Sequence, residues 1–150
     1  MIVASKYIYT ENGIVNGYLL VEDGKIRAIL GAEEEVGELD VDATNQRIIP
    51  GIFDTHNHGT LGYNMMSEMP DIEGEIKGYL KGLASQGVTA IFPTAYYGIF
   101  SDIAKVAKQN NDGAKIVGIH SEGPYLNRVG EKGIDTGHPD VDMALVRKMV

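Results

Sequence analysis

The run Val88-Thr89-Ala90-Ile91-Phe92-Pro93-Thr94 is apolar or β-branched along its whole length, and helix-patterned segments lie on either side of it. A strand that is apolar on both faces must be covered on both, which is the condition of a parallel sheet flanked by helices. Before it, Ile72, Ile76, Tyr79 with Leu80, and Leu83 with Ala84 recur at helical spacing, with Asp71 as N-cap and Gly87 as stop, so a helix is expected over about Asp71 to Gln86. After it, Ser101 is placed to cap a helix through Ile103, Val106 and Ala107 that fades at Asn110-Asn111-Asp112-Gly113. A third strand is expected over Lys115 to Glu122, and Asp140 or Asp142 starts a further helix carrying Ala144, Leu145 and Met149. Alternating strands and helices imply parallel strands joined by right-handed crossovers. Three such units do not close a barrel, because a complete (β/α)8 barrel takes about 250 residues. The expected fold class is therefore α/β, the first three strand-helix units of a TIM-like barrel.

Residues 1 to 49 follow a different pattern. Short apolar runs at Ile2-Val3, Tyr7-Ile8-Tyr9, Ile14-Val15, Tyr18 to Val21 and Ile26 to Ile29 are broken by Asn12-Gly13 and Asp23-Gly24, both tight-turn signals. This reads as a small antiparallel sheet. An acidic, exposed connection over residues 31 to 42 precedes a further short strand at Arg47-Ile48-Ile49. The expected division is 1–49 as part of a small β-domain and 50–150 as the incomplete barrel.

Within the alternating part, the distinctive polar residues gather at the carboxyl ends of strands, the rim where parallel α/β folds build their sites. The first strand runs into Asp54-Thr55-His56-Asn57-His58-Gly59, the second ends at Pro93-Thr94, and the third at His120-Ser121-Glu122-Gly123-Pro124. Strand alternation puts Asp54, His56 and His58 on one side, with the histidine Cα atoms about 6.6 Å apart at roughly 3.3 Å per residue. That spacing suits two imidazole ligands of one metal, the alternative being an unliganded pair at a strand end. With no cysteine in the chain, a metal has to be held by histidine and carboxylate, and Glu122 is the carboxylate on the same rim. His120 shares its face and reads as a packed or substrate-facing residue, and Asp54, lying deeper, as a structural hydrogen bonder. Tyr96 and Tyr97 either line a pocket or cover the rim. The net charge of −8 leaves no basic stripe for nucleic acid or an anionic membrane surface. No apolar run approaches the ~18 residues of a membrane span and no leader is visible, so a cytoplasmic setting is expected.

Three segments, Pro50 to Gly59, Gly87 to Thr94, and Gly118-Ile119-His120-Ser121-Glu122-Gly123-Pro124-Tyr125-Leu126-Asn127, together resemble the amidohydrolase superfamily and, within it, the N-acetylglucosamine-6-phosphate deacetylase family. His-x-His is shared widely across the superfamily; His-x-Glu-Gly-Pro-Tyr-Leu-Asn is the more specific element. The resemblance implies a distorted barrel with a small β-sandwich made from both chain ends. It also implies one or two divalent metals, zinc or iron, with Glu122 matching the family's glutamate ligand and His56 and His58 the first-strand histidines. The reaction implied is hydrolysis of the acetamide of N-acetylglucosamine 6-phosphate to glucosamine 6-phosphate and acetate, in amino-sugar catabolism, by an enzyme that is a homodimer at full length. No catalytic residue is expected within this chain, since the family's general acid/base aspartate and later histidines would lie beyond Val150.

The sequence departs from the family after Leu126-Asn127. Family members commonly follow with Lys-Gly, a small residue and His, a substrate-contacting segment, where this chain has Lys132-Gly133-Ile134-Asp135-Thr136-Gly137-His138. Either Ile134 and Asp135 take those positions or a short insertion passes the role to His138; an Asp135 facing a phosphate would be repulsive unless Arg128 and Lys132 compensate. Two other readings stand beside the first: an amidohydrolase for another N-acyl or cyclic-amide substrate, and a non-catalytic association module with open strand edges.

Overall fold

The computed structural model of the chain describes residues 1–66, 69–126 and 140–150, together with the strand pairing of 128–129 and 134–135. Two compact units result, Met1–Pro50 and Gly51–Val150.

In the first unit, three long strands form an antiparallel meander: β1 (Ile2–Thr10), β2 (Gly13–Glu22) and β3 (Lys25–Gly31). Asp23 and Gly24 make the two-residue turn between β2 and β3, with φ of 51° and 69°. Those angles suit the right-handed twist of the flanking strands. The first turn lies one residue earlier than the Asn-Gly signal suggests. Thr10 pairs with Gly13, so Glu11 and Asn12 are the loop and Gly13, at φ 122°, opens β2. Two short strands, β4 (Val41–Asp42) and β5 (Arg47–Ile48), run parallel to β1, which makes the sheet mixed rather than purely antiparallel. Between them the Thr44 hydroxyl and amide both donate to Asp42 Oδ1, holding that carboxyl below its ordinary range.

The second unit is built on β9 (Val88–Ala95), the apolar run that dominated the sequence. It pairs in parallel with β6 (Ile52–Asn57) on one side and with β10 (Lys115–Ile116) and β11 (His120–Ser121) on the other. The hairpin β7 (Gly59–Thr60) and β8 (Tyr63–Asn64) follows β6, and α1 (Ile72–Ser85) then crosses back to β9. The Asp71 carboxylate accepts from Gly74 N at the start of α1, and Gly87, at φ 84°, turns the chain after its end. The buried face of α1, with Ile76, Tyr79, Leu80 and Leu83, packs with Ile91 of β9 and with Ile99, Ile103 and Val106 into one core. Each fully buried aliphatic side chain there contributes about 1.5–3 kcal/mol.

Two expectations need correction. α2 (Phe100–Ala107) is not capped by Ser101: it grows out of a 3-10 turn at Tyr97–Ile99, its N-cap Ile99 offers no side-chain bond, and Ser101 lies in the first turn. The third strand is broken in two, at Lys115–Ile116 and His120–Ser121, and in the gap Gly118 passes so close to the Phe92 ring that a Cβ would stand 2.8 Å from a ring carbon. Further on, β12 (Arg128–Val129) and β13 (Ile134–Asp135) pair as an antiparallel ribbon. α3 (Met143–Met149) is capped by Asp142, whose carboxylate accepts from Ala144 N.

On the outer face, Glu73 of α1 bonds Lys77 at 2.7 Å and Lys105 of α2 at 3.0 Å. These two lysines, then Gln109, pull the Glu73 pKa from 4.5 to about 2. A depressed carboxylate contributes stability that is present above its unfolded pKa and lost as pH falls through the folded one. The thermal midpoint of Glu73→Gln should therefore lie below that of the unsubstituted chain above pH 4.5, with the gap closing toward pH 2. The pair is exposed, so the gap is small and shrinks in salt; a gap independent of pH would rule the ion pair out as its cause.

Candidate metal centre

The parallel register sets three strand ends level. Asn57 pairs with Pro93, His120 with Thr94 and Ser121 with Ala95, so His58 and Glu122 leave their strands on one rim. There His56, His58 and Glu122 present ligand atoms that all lie within 4.8 Å of one another. The two Nε2 atoms are 3.1 Å apart, and His58 Nε2 is 3.1 Å from Glu122 Oε2.

Plain strand alternation does not produce this closeness. Three residues from Asp54 to Asn57 span what two cover from Ile91 to Pro93, so β6 carries an extra residue just where the histidines begin. Bulges of this kind re-aim side chains beside functional sites. Asp54 is the structural hydrogen bonder expected from the sequence: its carboxylate accepts from His56 N at 3.0 Å and from Asn57 Nδ2 at 3.1 Å. Asn57 is held from a second side by its amide, which donates to the buried Thr94 Oγ1.

Glu122 Oε2, although 3.1 Å from His58 Nε2, has no hydrogen-bond partner, since the approach lacks hydrogen-bond geometry. The two imidazole Nε2 atoms are within hydrogen-bonding distance of one another, while the carboxylate oxygen beside them is left without a hydrogen bond, and three such atoms facing one point are what ligands of a common cation present. Two ligand atoms at 2.0–2.1 Å from one zinc in a tetrahedral shell stand about 3.3 Å apart, close to both observed spacings. The donor set of two imidazoles and one carboxylate therefore fits a divalent ion, with zinc or iron chemically suited to it. A three-ligand set also leaves positions open for substrate or water.

Of the other residues singled out in the sequence, His120 lies against His56 with ring centroids 4.7 Å apart and the planes tilted by 60°, and its buried Nδ1 has no hydrogen-bond partner. The Tyr96 and Tyr97 rings lie 4.5 Å from one another, and Tyr97 packs on the core. Ile134 and Asp135 are placed only as backbone in β13, and His138 lies outside the described residues. The Glu122-Gly123-Pro124 segment is braced by Ser121 Oγ, which donates to Gly123 O, and by Tyr125, whose hydroxyl donates to Asp142 O at the start of α3.

One residue of the site was not visible in the sequence. Tyr79 reads there as part of the apolar stripe of α1, yet its hydroxyl reaches Asn57 O and Asn57 Oδ1, each at 3.2 Å. Burial, and after it the Asp54 charge, raise the phenol's pKa, so it stays a donor. The available signal was a tyrosine where a leucine would fill a core, because a buried phenol demands a partner.

No protein-family model matches the chain. Among curated proteins it is 29% identical over 119 residues to N-acetylglucosamine-6-phosphate deacetylase of Danio rerio, covering 73% of this chain and 29% of that protein. It is 27% identical over 133 residues to N-acetylgalactosamine-6-phosphate deacetylase of Escherichia coli O157:H7, covering 83% of this chain and 33% of the relative. The chain thus spans about a third of the length of these relatives. The crystal structure of N-acetyl-D-glucosamine-6-phosphate deacetylase from Mycobacterium smegmatis superposes with a TM-score of 0.67 at 23% identity, covering 99% of this chain and 43% of that one, so the fold is shared. Among the described residues no helix is long and apolar enough to cross a membrane.

Proposed function

We propose that this chain, a relative of the N-acetylglucosamine-6-phosphate deacetylases of the amidohydrolase family, carries the first-strand and third-strand part of a metal-dependent deacetylase site. In this reading Gly51–Val150 is the opening of a (β/α)8 barrel and Met1–Pro50 part of its small β-domain. The observation that carries it is the convergence of His56, His58 and Glu122 on one rim of a parallel sheet. The substrate is an N-acetylated amino sugar 6-phosphate, the class named by both relatives, and the products are acetate and the free amine.

A divalent ion held by the three side chains would supply Lewis-acid polarisation of the acetamide carbonyl and a lowered water pKa. The chain's own part is to orient. Asp54 and Thr94 hold the bulge through the main chain of His56 and Asn57, which sets where the two imidazoles leave the strand. Tyr125 and Ser121 fix the loop from which Glu122 projects. The proton transfers from water and to the leaving amine fall to groups outside these residues.

The test uses the enzyme that contains this region. Its metal content and its acetate release from N-acetylglucosamine 6-phosphate and N-acetylgalactosamine 6-phosphate are measured beside a panel of unphosphorylated N-acetyl sugars and cyclic amides. Stoichiometric metal with acetate released from a sugar phosphate is the expected result. Turnover confined to a cyclic amide would replace this reading with that of a different amidohydrolase.

A further inference from the structure

We propose that Tyr79 is a positioning residue for the histidine pair and acts through Asn57. Asn57 lies between His56 and His58, and nearly every polar atom it has is engaged. Its amide donates to Thr94 Oγ1 at 3.1 Å, and its Nδ2 donates to Asp54 Oδ2 at 3.1 Å. Its Oδ1 accepts from Gly59 N at 2.9 Å, and both its Oδ1 and its main-chain O face the Tyr79 hydroxyl at 3.2 Å. One residue thus ties the bulge to its own strand, to β9 and to α1.

The helix end of that tie is the stiffest. Tyr79 is fully buried among Ile76, Leu80 and Leu83, so its phenol cannot swing away from Asn57 without opening the core. A phenylalanine would fill the same space, and the hydroxyl therefore serves the contact with Asn57 rather than the packing. A phenol has a single proton, so it serves one Asn57 oxygen at a time, and either choice restrains the peptide that separates the two imidazoles. Removing outer supports of ligating residues typically weakens metal binding by about 10–100-fold.

The metal readout of this inference rests on the ligand reading of His56 and His58; a second readout does not. In the metal-free chain the 3.1 Å approach of the two Nε2 atoms predicts a nuclear Overhauser contact between the ring protons of His56 and His58. Tyr79→Phe is expected to lose that contact and to bind zinc about 10–100-fold more weakly in a direct titration of the full chain. Asn57→Ala should reproduce the loss, and the double variant should be no weaker than Asn57→Ala alone, since the two side chains act as one unit. Unchanged zinc affinity together with a retained ring contact in Tyr79→Phe overturns the proposal, as does strict additivity in the double variant. If the unsubstituted chain takes up no zinc, the metal reading fails and the ring contact decides: its loss in Tyr79→Phe supports positioning, and its persistence, or its absence from the unsubstituted chain, overturns it. Should Tyr79→Phe not fold, Asn57→Ala carries the test, and an unaltered ring contact in it overturns the proposal.

Discussion

Glu122→Gln is expected to weaken binding of a divalent ion by more than about 100-fold while leaving the metal-free chain at least as stable as before. The first half follows from the ligand geometry. The substitution keeps the shape of the side chain but exchanges a carboxylate for a neutral amide, and losing a direct ligand should exceed the roughly 10–100-fold typical of outer supports. The second half follows from the orphaned oxygen. Glu122 Oε2 is buried and has no hydrogen bond, only the approach of His58 Nε2 at 3.1 Å in a geometry that does not make one, so without an ion it is a cost to the fold, at most on the order of the 1–3 kcal/mol of an unsatisfied polar group. Neutralising it removes part of that cost. Thermal unfolding with and without zinc separates the two effects. At zinc 100 times its dissociation constant the unsubstituted chain should gain about 2.7 kcal/mol, and Glu122→Gln should gain almost nothing. An equal metal-induced rise in both would take Glu122 out of the ligand set.

How much of this could be read from the residues differs from element to element, for physical reasons. β9 and α1 were legible because burial on both faces, or on one helical stripe, leaves a period that side chains alone report. The third strand was legible as an apolar segment but not as a broken one, since the close approach of Gly118 to the Phe92 ring of the neighbouring strand, within its gap, is a contact made across the sheet. Ser101 misled because a hydroxyl before an apolar stripe is a sound local cap signal, and the 3-10 turn ahead of it had already started the helix. At the site, the types and the rim were legible and the distances were not. Alternation predicts histidine Cα atoms about 6.6 Å apart on a regular strand, whereas bringing two Nε2 atoms to 3.1 Å takes ring rotation and a bulge fixed by Thr94 and Tyr79, far away in sequence. A bulge is a property of the pair of strands, and neither strand's sequence contains it alone.

Gly59→Ala is expected to damage the centre nearly as much as losing a ligand, and for a reason other than backbone freedom. A glycine after the histidine pair suggests a residue the chain needs in order to turn. The turn of the β7–β8 hairpin is in fact made by Leu61 and Gly62, with φ of 50° and 92°. Gly59 is instead a point of close approach: a Cβ there would fall on the Tyr63 carbonyl oxygen and 3.0 Å from the Asn64 Cα, both main-chain atoms of the paired strand. Neither can give way as a flexible side chain would, so the hairpin itself must move. Its anchors make that movement felt at His58, because Met65 N donates to His58 O at 2.8 Å and Asn64 N donates to Glu75 Oε1 on α1 at 3.0 Å. Overpacking of this kind costs about 1–3 kcal/mol, and since the main chain of His58, a proposed ligand, shifts with it, zinc affinity should fall by at least the ~10–100-fold of a lost support. Gly62→Ala is the matched control. It strains a positive φ in open space, with nothing within 4 Å of the added carbon, and lies beyond the paired residues. It should lower the thermal midpoint and leave zinc affinity within about twofold, well short of the losses typical of disturbed ligand supports. If both variants bind zinc equally well, the hairpin does not set the position of His58. If Gly59→Ala alone loses it, the glycine marks where the hairpin's main chain is pressed against the site.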